Sequence, residues 1–119
     1  MCVIIVYGIP DKTSNKTIKV LLNKLIESIH GISELGLKEK LIPCHFPQDL
    51  IPRDASSEIT ILVVGLFDHP MTRTVEVRER LAISLESKVR ELFPLSKLIQ
   101  CQINYFDPRS GFAYSSKEE

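Results

Sequence analysis

The stretch EITILVVGLF at residues 58–67 is almost continuously apolar and rich in β-branched side chains. Such a run predicts a strand with both faces covered, because a strand with one face in water alternates apolar and polar residues. MCVIIVYGI at residues 1–9 has the same character and predicts another such strand. LIPCHFP at residues 41–47 predicts a shorter strand, whose two prolines indicate a sheet edge or a bulge. LIQCQINYF at residues 98–106 predicts a fourth strand, in which polar and apolar residues alternate.

A helix is predicted inside each half of the chain. The first begins near Thr13 or Ser14, either of which can cap it. The second begins near Thr72 or Thr74 and is stopped by Pro94. Both predicted helices carry one apolar stripe at helical spacing. The stripes are Ile18, Leu21, Leu22, Leu25, Ile26 and Ile29 in the first helix, and Val77, Leu81, Leu85, Val89, Leu92 and Phe93 in the second.

The elements therefore follow the order β-α-β and again β-α-β, in two halves of similar length. This tandem repeat predicts an α+β fold, an α/β two-layer sandwich in which a four-stranded mixed sheet carries two helices on one face. The chain has 119 residues and is expected to form a single domain over residues 1–119.

The composition excludes several classes of partner. The 15 basic and 15 acidic residues cancel, so no broad positive surface is available for nucleic acid or anionic lipid. No apolar stretch approaches the roughly 18 residues of a membrane span, and we expect a cytoplasmic protein without nucleic-acid or membrane partners. The three cysteines are far apart, which argues against a disulfide framework. Cys44 and His45 are adjacent on a predicted strand and point to opposite faces, so we expect no metal site and no cofactor.

The second face of the predicted sheet has no cover within the chain. Two helices can cover one face, yet the strands at residues 1–9 and 58–67 are apolar on both. Each Ile, Val or Leu side chain left in water forfeits about 1.5–3 kcal/mol. Identical subunits are the expected cover, which predicts a homo-oligomer. A ferredoxin-like binding module has the same element order, but it usually leaves one sheet face solvated and predicts alternation in these strands.

Two stretches of the sequence resemble the tautomerase superfamily and, within it, the macrophage migration inhibitory factor branch. INYFD at residues 103–107 is similar to the Ile-Asn-Tyr-Tyr-Asp segment of that branch, and Gly111 and Phe112 fall where the branch has Gly-Trp. CHFPQDL at residues 44–50 resembles its second strand, which passes through a His into a Pro-Asp-Gln-Leu turn. The resemblance implies a homotrimer whose three sheets enclose a central barrel, with a pocket at each subunit interface.

The resemblance also implies a chemistry. Members of the superfamily catalyse keto–enol tautomerisation with an N-terminal proline, exposed by removal of the initiator Met, as the base. In an apolar pocket the charged form of this amine loses solvation, so its pKa falls towards neutrality. This sequence has Cys2 in place of the proline. Three hypotheses remain open: the α-amine of Cys2 is the base, its thiolate is the catalytic group, or Cys2 is a buried structural residue of a non-catalytic relative.

Three further residues are implied to bind the substrate, a small 2-oxo acid. Lys38, with Lys40 as an alternative, lies near where the branch places a lysine that binds the substrate carboxylate. Asn104 matches a pocket residue supplied by the neighbouring subunit, and Phe112 can form an aromatic wall of the pocket. Each has a structural alternative: a solvated lysine, a strand asparagine facing solvent, and an apolar anchor for the C-terminal tail.

Two functions are therefore expected for this chain. The first is a keto–enol tautomerase or isomerase of small 2-oxo acids with an altered N-terminal base. The second is a non-catalytic trimeric binding or assembly protein of the same fold. The arginines that follow the third strand can bind an anion near a helix start, but the neighbouring Glu76 and Glu79 favour a solvated face. These arginines are Arg73, Arg78 and Arg80.

Overall fold

The computed structural model describes residues 2–38 and 42–117. The strands and helices follow the predicted β-α-β-β-α-β order. They are β1 Val3–Tyr7, α1 Asn15–His30, β2 Cys44–His45, β3 Ile59–Phe67, α2 Val75–Leu92 and β4 Ile99–Phe106, with short 3₁₀ turns at Ser33–Leu35 and Pro108–Ser110. Neither helix of the described chain combines the length and the apolar character that a bilayer crossing requires.

The four strands form one sheet in the order β2-β1-β3-β4, so β2 and β4 are its edges. β1 is parallel to β2 and antiparallel to β3, and β3 is parallel to β4. The sheet is therefore mixed, and both helices pack on one of its faces. The predicted fold class, a two-layer sandwich built from a tandem β-α-β repeat, is confirmed.

The core lies between the two helices and the sheet. Each helix contributes its predicted apolar stripe, and Leu25 of α1 and Leu85 of α2 have no exposed surface. On the strands, alternate residues point inward because side chains change face at every step. The buried apolar residues of the helices and strands are Leu21, Leu25 and Ile29 of α1, Val77, Leu81, Leu85 and Val89 of α2, Ile4 and Val6 of β1, Ile59, Ile61, Val63 and Leu66 of β3, and Ile99 of β4.

The structure selects one helix cap from each predicted pair. Ser14 Oγ accepts the backbone N–H of Thr17 at 3.1 Å, and Thr74 Oγ1 accepts that of Val77 at 3.3 Å. Thr13 instead donates its hydroxyl to a backbone carbonyl three residues earlier, at 2.7 Å. Each cap satisfies a donor that has no partner within the helix, which fixes where the helix begins.

Strand β2 is shorter than predicted. The pattern predicted a strand over residues 41–47, whereas the ladder covers only Cys44–His45. Pro43 and Pro47 flank this segment, and proline has no N–H to donate to a ladder. The carbonyl of Pro43 still accepts the N–H of Ile4 at 2.9 Å. Position 41 lies outside the described residues.

The face of the sheet away from the helices, here called the open face, is not covered within the described chain. Its apolar half lies on β1 and β3, where Tyr7 is 44% exposed and its neighbours are partly exposed. Its polar half lies mostly on β4, where the side chains are exposed. The apolar residues are Val3, Ile5, Tyr7, Leu62 and Val64, and the polar ones are Thr60, Gln100, Gln102 and Asn104.

Candidate functional site

Cys2 precedes β1, at the end of the sheet where β3 and β4 finish. The antiparallel register pairs Val3 with Val64, which places Cys2 beside the last third of β3. The Cys2 side chain is 3% exposed and belongs to the same buried cluster as Ile4 and Val6, on the helix-covered face. The predicted catalytic residue therefore lies in the apolar core of the single chain.

The other two thiols are kept protonated by their surroundings. Burial, and to a lesser extent the neighbouring Cys2, raises the pKa of Cys44 to about 11. Burial, with a smaller contribution from Glu86, raises the pKa of Cys101 to about 12. The thiolate is the form of cysteine that attacks substrates and binds metals. Cys44 and Cys101 are therefore protonated at neutral pH, which is not the reactive form.

Lys38 lies on the loop that follows the first 3₁₀ turn, and it is exposed. That turn ends at Gly36, whose φ of +65° is a left-handed conformation that glycine adopts without strain. The buried Leu35 just before it is tied to the end of β3 through a shared arginine. Lys38 is thus presented to solvent at the same end of the sheet as Cys2. The alternative candidate, Lys40, lies outside the described residues.

The shared arginine is Arg73, for which sequence analysis predicted a different environment. Arg73 is 8% exposed, and its Nε and Nη2 donate to the carbonyl of Leu35 at 2.9 and 2.6 Å. Its Nη1 donates to the carbonyl of Phe67, the last residue of β3, at 2.8 Å. The prediction of a solvated face is wrong for Arg73, because backbone carbonyls from two other segments surround it. Arg80 does lie on an exposed face, where it pairs with Glu34.

Asn104 and Cys2 face opposite sides of the sheet. Asn104 is exposed on the open face, while Cys101 and Ile103 of the same strand pack against the core. Cys2 belongs to the helix-covered face. The two side chains of one chain therefore cannot line the same pocket. An asparagine that meets a pocket at Cys2 has to come from another subunit, as the resemblance implies.

Phe112 anchors the C-terminal tail to the ends of β3 and β4. Its ring packs edge-on against Phe67, with centroids 4.8 Å apart, and lies 6.0 Å from Phe106. Tyr114 extends this aromatic cluster at 5.8 Å from Phe112. The predicted structural alternative, an apolar anchor for the tail, is therefore present. Because the Phe112 ring is still 48% exposed, it remains able to contact a ligand or another subunit.

Arg78 adds a cation to this end of the molecule. Its guanidinium carbon lies 3.9 Å from the ring centroid of Tyr105, a cation–π contact, and its Nη1 donates to the carbonyl of Arg73 at 2.9 Å. Arg78 and Arg73 therefore link β4 to the loop that carries Lys38. The sequence shows that the arginines lie close together along the chain. It does not predict that Arg73 is buried, that Arg78 packs on Tyr105 and that Arg80 is exposed.

Two cavities lie at the opposite end of the sheet, near the end of β1. The larger, of about 750 Å³, is formed by residues from segments 10–17 and 52–55 and by residues 92–93. The smaller, of about 520 Å³, is lined by Tyr7 and Thr60 of the open face and by the loop that follows β2. Neither is lined by any of the four predicted site residues, so both are separate from the predicted site.

Among the four predicted residues, Cys2, Lys38 and Phe112 lie at one end of the sheet. Cys2 is buried, Lys38 is exposed, and Phe112 is half-exposed on the aromatic cluster. Asn104 lies on the open face and turns away from Cys2. A complete site of the expected kind therefore needs residues from more than one subunit.

The comparisons with known proteins concern the fold. A scan against protein-family models finds no match, and no curated protein matches the sequence. A solved structure of N1, a member of the cis-3-chloroacrylic acid dehalogenase family, matches 96% of this chain and 81% of its own, with a TM-score of 0.67 and 14% identity. A fused 4-OT wild-type symmetric trimer matches over 88% of this chain and 85% of its own, with a TM-score of 0.66 and 14% identity.

A 5-carboxymethyl-2-hydroxymuconate isomerase from Deinococcus radiodurans R1 also matches. The alignment covers 97% of this chain and 88% of the isomerase, with a TM-score of 0.56 and 14% identity. At 14% identity, the similarity shows only that the strands and helices are arranged in the same way. The chain therefore has the tautomerase-like β-α-β fold that these structures share.

Proposed function

We propose that this chain is a homotrimeric protein of the tautomerase superfamily, related to the macrophage migration inhibitory factor branch, that lacks the proline-based keto–enol chemistry. The observation that carries this proposal is the apolar half of the open face, which the two helices leave uncovered. The fused 4-OT structure with the same fold is a trimer, which supports the proposed stoichiometry.

The energetics of the open face support association. Five apolar side chains there are partly or largely exposed in the single chain. Full burial of one such side chain contributes about 1.5–3 kcal/mol. Association also has a cost, because the subunits lose translational and rotational freedom worth on the order of 4–15 kcal/mol. Because four of the five side chains are already partly buried in the single chain, each contributes only part of this figure, and the rest of the interface has to offset the remaining cost.

The surroundings of Cys2 support the absence of catalysis. The superfamily reaction needs an amine or another base at the surface of a pocket, in contact with the substrate. The Cys2 thiol does not meet this requirement, because Cys2 is 3% exposed in the apolar core of the single chain. The N-terminal segment is therefore proposed to act as structure.

The second candidate function is an isomerase of small 2-oxo acids. The observation that favours it is the placement of Cys2, the Lys38 loop and Phe112 at one end of the sheet. In this alternative the α-amine of Cys2 is the base and Lys38 binds the carboxylate. Asn104 is supplied by the open face of a neighbouring subunit, and Phe112 forms one wall.

The assembly is tested by light scattering at micromolar concentration. The wild type is expected to be a trimer, and Ile5→Lys is expected to be a folded monomer, because a lysine would then face the proposed interface. The matched control is Ile83→Lys on α2, where the isoleucine is 62% exposed on the outer surface. The control should remain trimeric. A wild type that is monomeric at this concentration would overturn the proposal.

The chemistry is tested by following enol–keto conversion of an aryl pyruvate. Wild-type protein is expected to show little conversion, and Cys2→Pro is expected to gain activity once the initiator Met is removed. Intact mass confirms the processing, and light scattering confirms the assembly. The gain should disappear in Cys2→Pro combined with Lys38→Ala if Lys38 binds the carboxylate. Robust wild-type conversion would contradict the non-catalytic proposal and favour the second candidate.

A further inference from the structure

The pairing of β1 with β2 brings together two cysteines that are far apart in the sequence. The two strands are parallel, and their register places Ile4 beside Cys44. Cys2 lies two residues before Ile4, and side chains two residues apart along an extended chain point to the same face of a sheet. Cys2 and Cys44 therefore lie on the same, helix-covered face, on neighbouring segments of the sheet.

Packing and electrostatics agree with this placement. Cys2 is one of the buried core residues, and Cys44 packs against the same core. The neighbouring Cys2 also contributes to the raised pKa of Cys44, which requires the two thiols to be close. Cys44 is only partly buried, so a small ion can reach the pair from its side.

The spacing of the two cysteines is too long for a disulfide. Cys44 lies one strand across from Ile4, and Cys2 lies two residues along the chain from Ile4. These two steps, of roughly 4.8 and 6.6 Å, put the Cα atoms of the cysteines about 8 Å apart. A disulfide joins Cα atoms that are no more than about 7 Å apart. Oxidation of the pair to a disulfide would therefore require movement of the backbone.

A metal ion held between two sulfurs needs a longer span than a disulfide does. The bond from a metal ion to a thiolate is about 2.3 Å long, so two thiolates in line with one ion are about 4.6 Å apart. The two sulfurs of a disulfide are only about 2.05 Å apart. The diagonal placement of Cys2 and Cys44 suits the longer of these spans.

The surroundings of the pair favour a soft ion with two ligands. Ile4 has no exposed surface and Ile42 is 4% exposed, and neither side chain offers a further ligand. In the part of the chain that the structure describes, no group of three or more His, Cys, Asp or Glu side chains could hold an ion. A structural zinc site takes four protein ligands, whereas soft thiolates also select monovalent copper. Monovalent copper, which accepts two ligands in line, therefore fits this pair better than zinc.

We propose that Cys2 and Cys44 of one chain together bind a single soft monovalent metal ion, Cu(I), between their two sulfurs. Each thiol gives up its proton on binding, so one ion displaces two protons and leaves a site with one net negative charge. The ion would fasten the N-terminal segment to β2, whose ladder covers only Cys44–His45. Along the sequence, Cys44 has only His45 beside it, which points to the other face, and the strand pairing supplies Cys2 instead.

Cu(I) binding tests the pair, and the third cysteine provides the matched control. Cu(I) is supplied without oxygen as its bicinchoninate complex, whose loss of colour measures transfer to the protein. Native mass spectrometry should count one ion per wild-type chain. Cys2→Ala and Cys44→Ala should each lower the affinity by at least the roughly 10–100-fold that loss of an outer-shell partner costs a metal site. Cys101→Ala should leave the affinity unchanged, because Cys101 lies on β4, at the opposite edge of the sheet from β2.

Two further measurements report on the ligands directly. X-ray absorption of the wild-type Cu(I) complex should show two sulfur neighbours, and binding in weak buffer should release two protons per ion. Circular dichroism should show that the variants fold. Cys44→Ser, a polar change at a partly buried position, repeats the test if either alanine variant is unstable.

A wild type that binds no Cu(I) would overturn the inference, as would binding that survives both Cys2→Ala and Cys44→Ala. An equal loss of affinity in Cys101→Ala would also overturn it, because the ion would then not be specific to the pair. Light scattering of the same samples reports on assembly separately. A monomeric wild type that binds one ion per chain would contradict the proposed trimer and leave this inference standing.

Discussion

The two faces of the sheet carry similar apolar residues but differ in what covers them. On the helix-covered face, Ile4 and Val63 are completely buried. On the open face, Ile5 and Leu62, their neighbours along the chain, remain partly exposed. The single chain can therefore dehydrate only one side of its sheet. The helix-covered face holds the core of the folded chain, and the open face is the surface through which we propose that the chain associates.

The largest expected effect on stability is that of a core substitution in α2, one of the two helices on the helix-covered face. Leu85→Ala should lower the free energy of unfolding by about 2–5 kcal/mol, because it leaves a cavity at a side chain with no exposed surface. Ile83→Ala on the same helix, at a 62% exposed position, should change it by about 0.5 kcal/mol or less. Denaturant unfolding at one protein concentration measures both. A loss below about 1 kcal/mol for Leu85→Ala would contradict the assignment of that face.

The pH dependence of stability tests the burial of a strand residue on the same face. The pKa of Cys101 is raised from 9.0 to about 12, so above pH 9 the thiol ionises in the unfolded chain but stays protonated in the folded one. Its contribution to stability is therefore complete below pH 9 and is lost as the pH rises towards 12. The free energy of unfolding should fall with pH more steeply in wild type than in Cys101→Ala, by at most about 1.4 kcal/mol per pH unit.

The control for this experiment lies on the other face of the same strand. Gln102 is adjacent to Cys101 but is exposed on the open face. Gln102→Ala should leave the pH dependence as it is in wild type. Parallel curves for wild type and Cys101→Ala between pH 9 and 11 would mean that the Cys101 thiol is hydrated, and the contrast between the two faces of β4 would then be smaller than described.

The smallest expected effect concerns the start of the second helix. Thr74→Ala removes the cap that accepts the N–H of Val77 and should lower the free energy of unfolding by about 1 kcal/mol. Thr72→Ala, two residues earlier and exposed, should have an effect of about 0.5 kcal/mol or less. Thermal or denaturant unfolding distinguishes the two. Equal losses would indicate that the helix does not begin at the residue where the structure places it.

Much of the fold could be predicted because its signals are local. The stripe through Leu81, Leu85 and Val89 has helical spacing, and the run at residues 58–67 is long and β-branched, so each specifies its own element. The strand at 41–47 was predicted too long because Pro43 and Pro47 indicated a sheet edge or a bulge, whereas they lie just outside the short ladder at Cys44–His45. The length of a strand near prolines therefore depends on which backbone N–H groups can donate to the ladder, and apolar composition alone overestimates it.

The candidate site could be predicted less well because its contacts are distant in sequence or lie in another subunit. Arg73 reaches a carbonyl 38 residues away, and no spacing rule anticipates such a partner. Asn104 turns away from Cys2 in its own chain, so its assigned role depends on an interface that one sequence does not describe. The roles of Cys2, Lys38, Asn104 and Phe112 stay predictions until the assembly and the chemistry are measured.

Strand β4 is eight residues long and forms one edge of the sheet. An edge of this length is a template onto which another strand can add, and edges of this kind promote aggregation when they are left open. A newly made chain would present this edge together with the apolar half of the open face. Assembly with sister chains would then compete with precipitation during synthesis. Variants that fold but cannot assemble should accumulate as insoluble protein when they keep the apolar half of the open face, whereas Ile5→Lys, which places a charge on that face, should stay in solution.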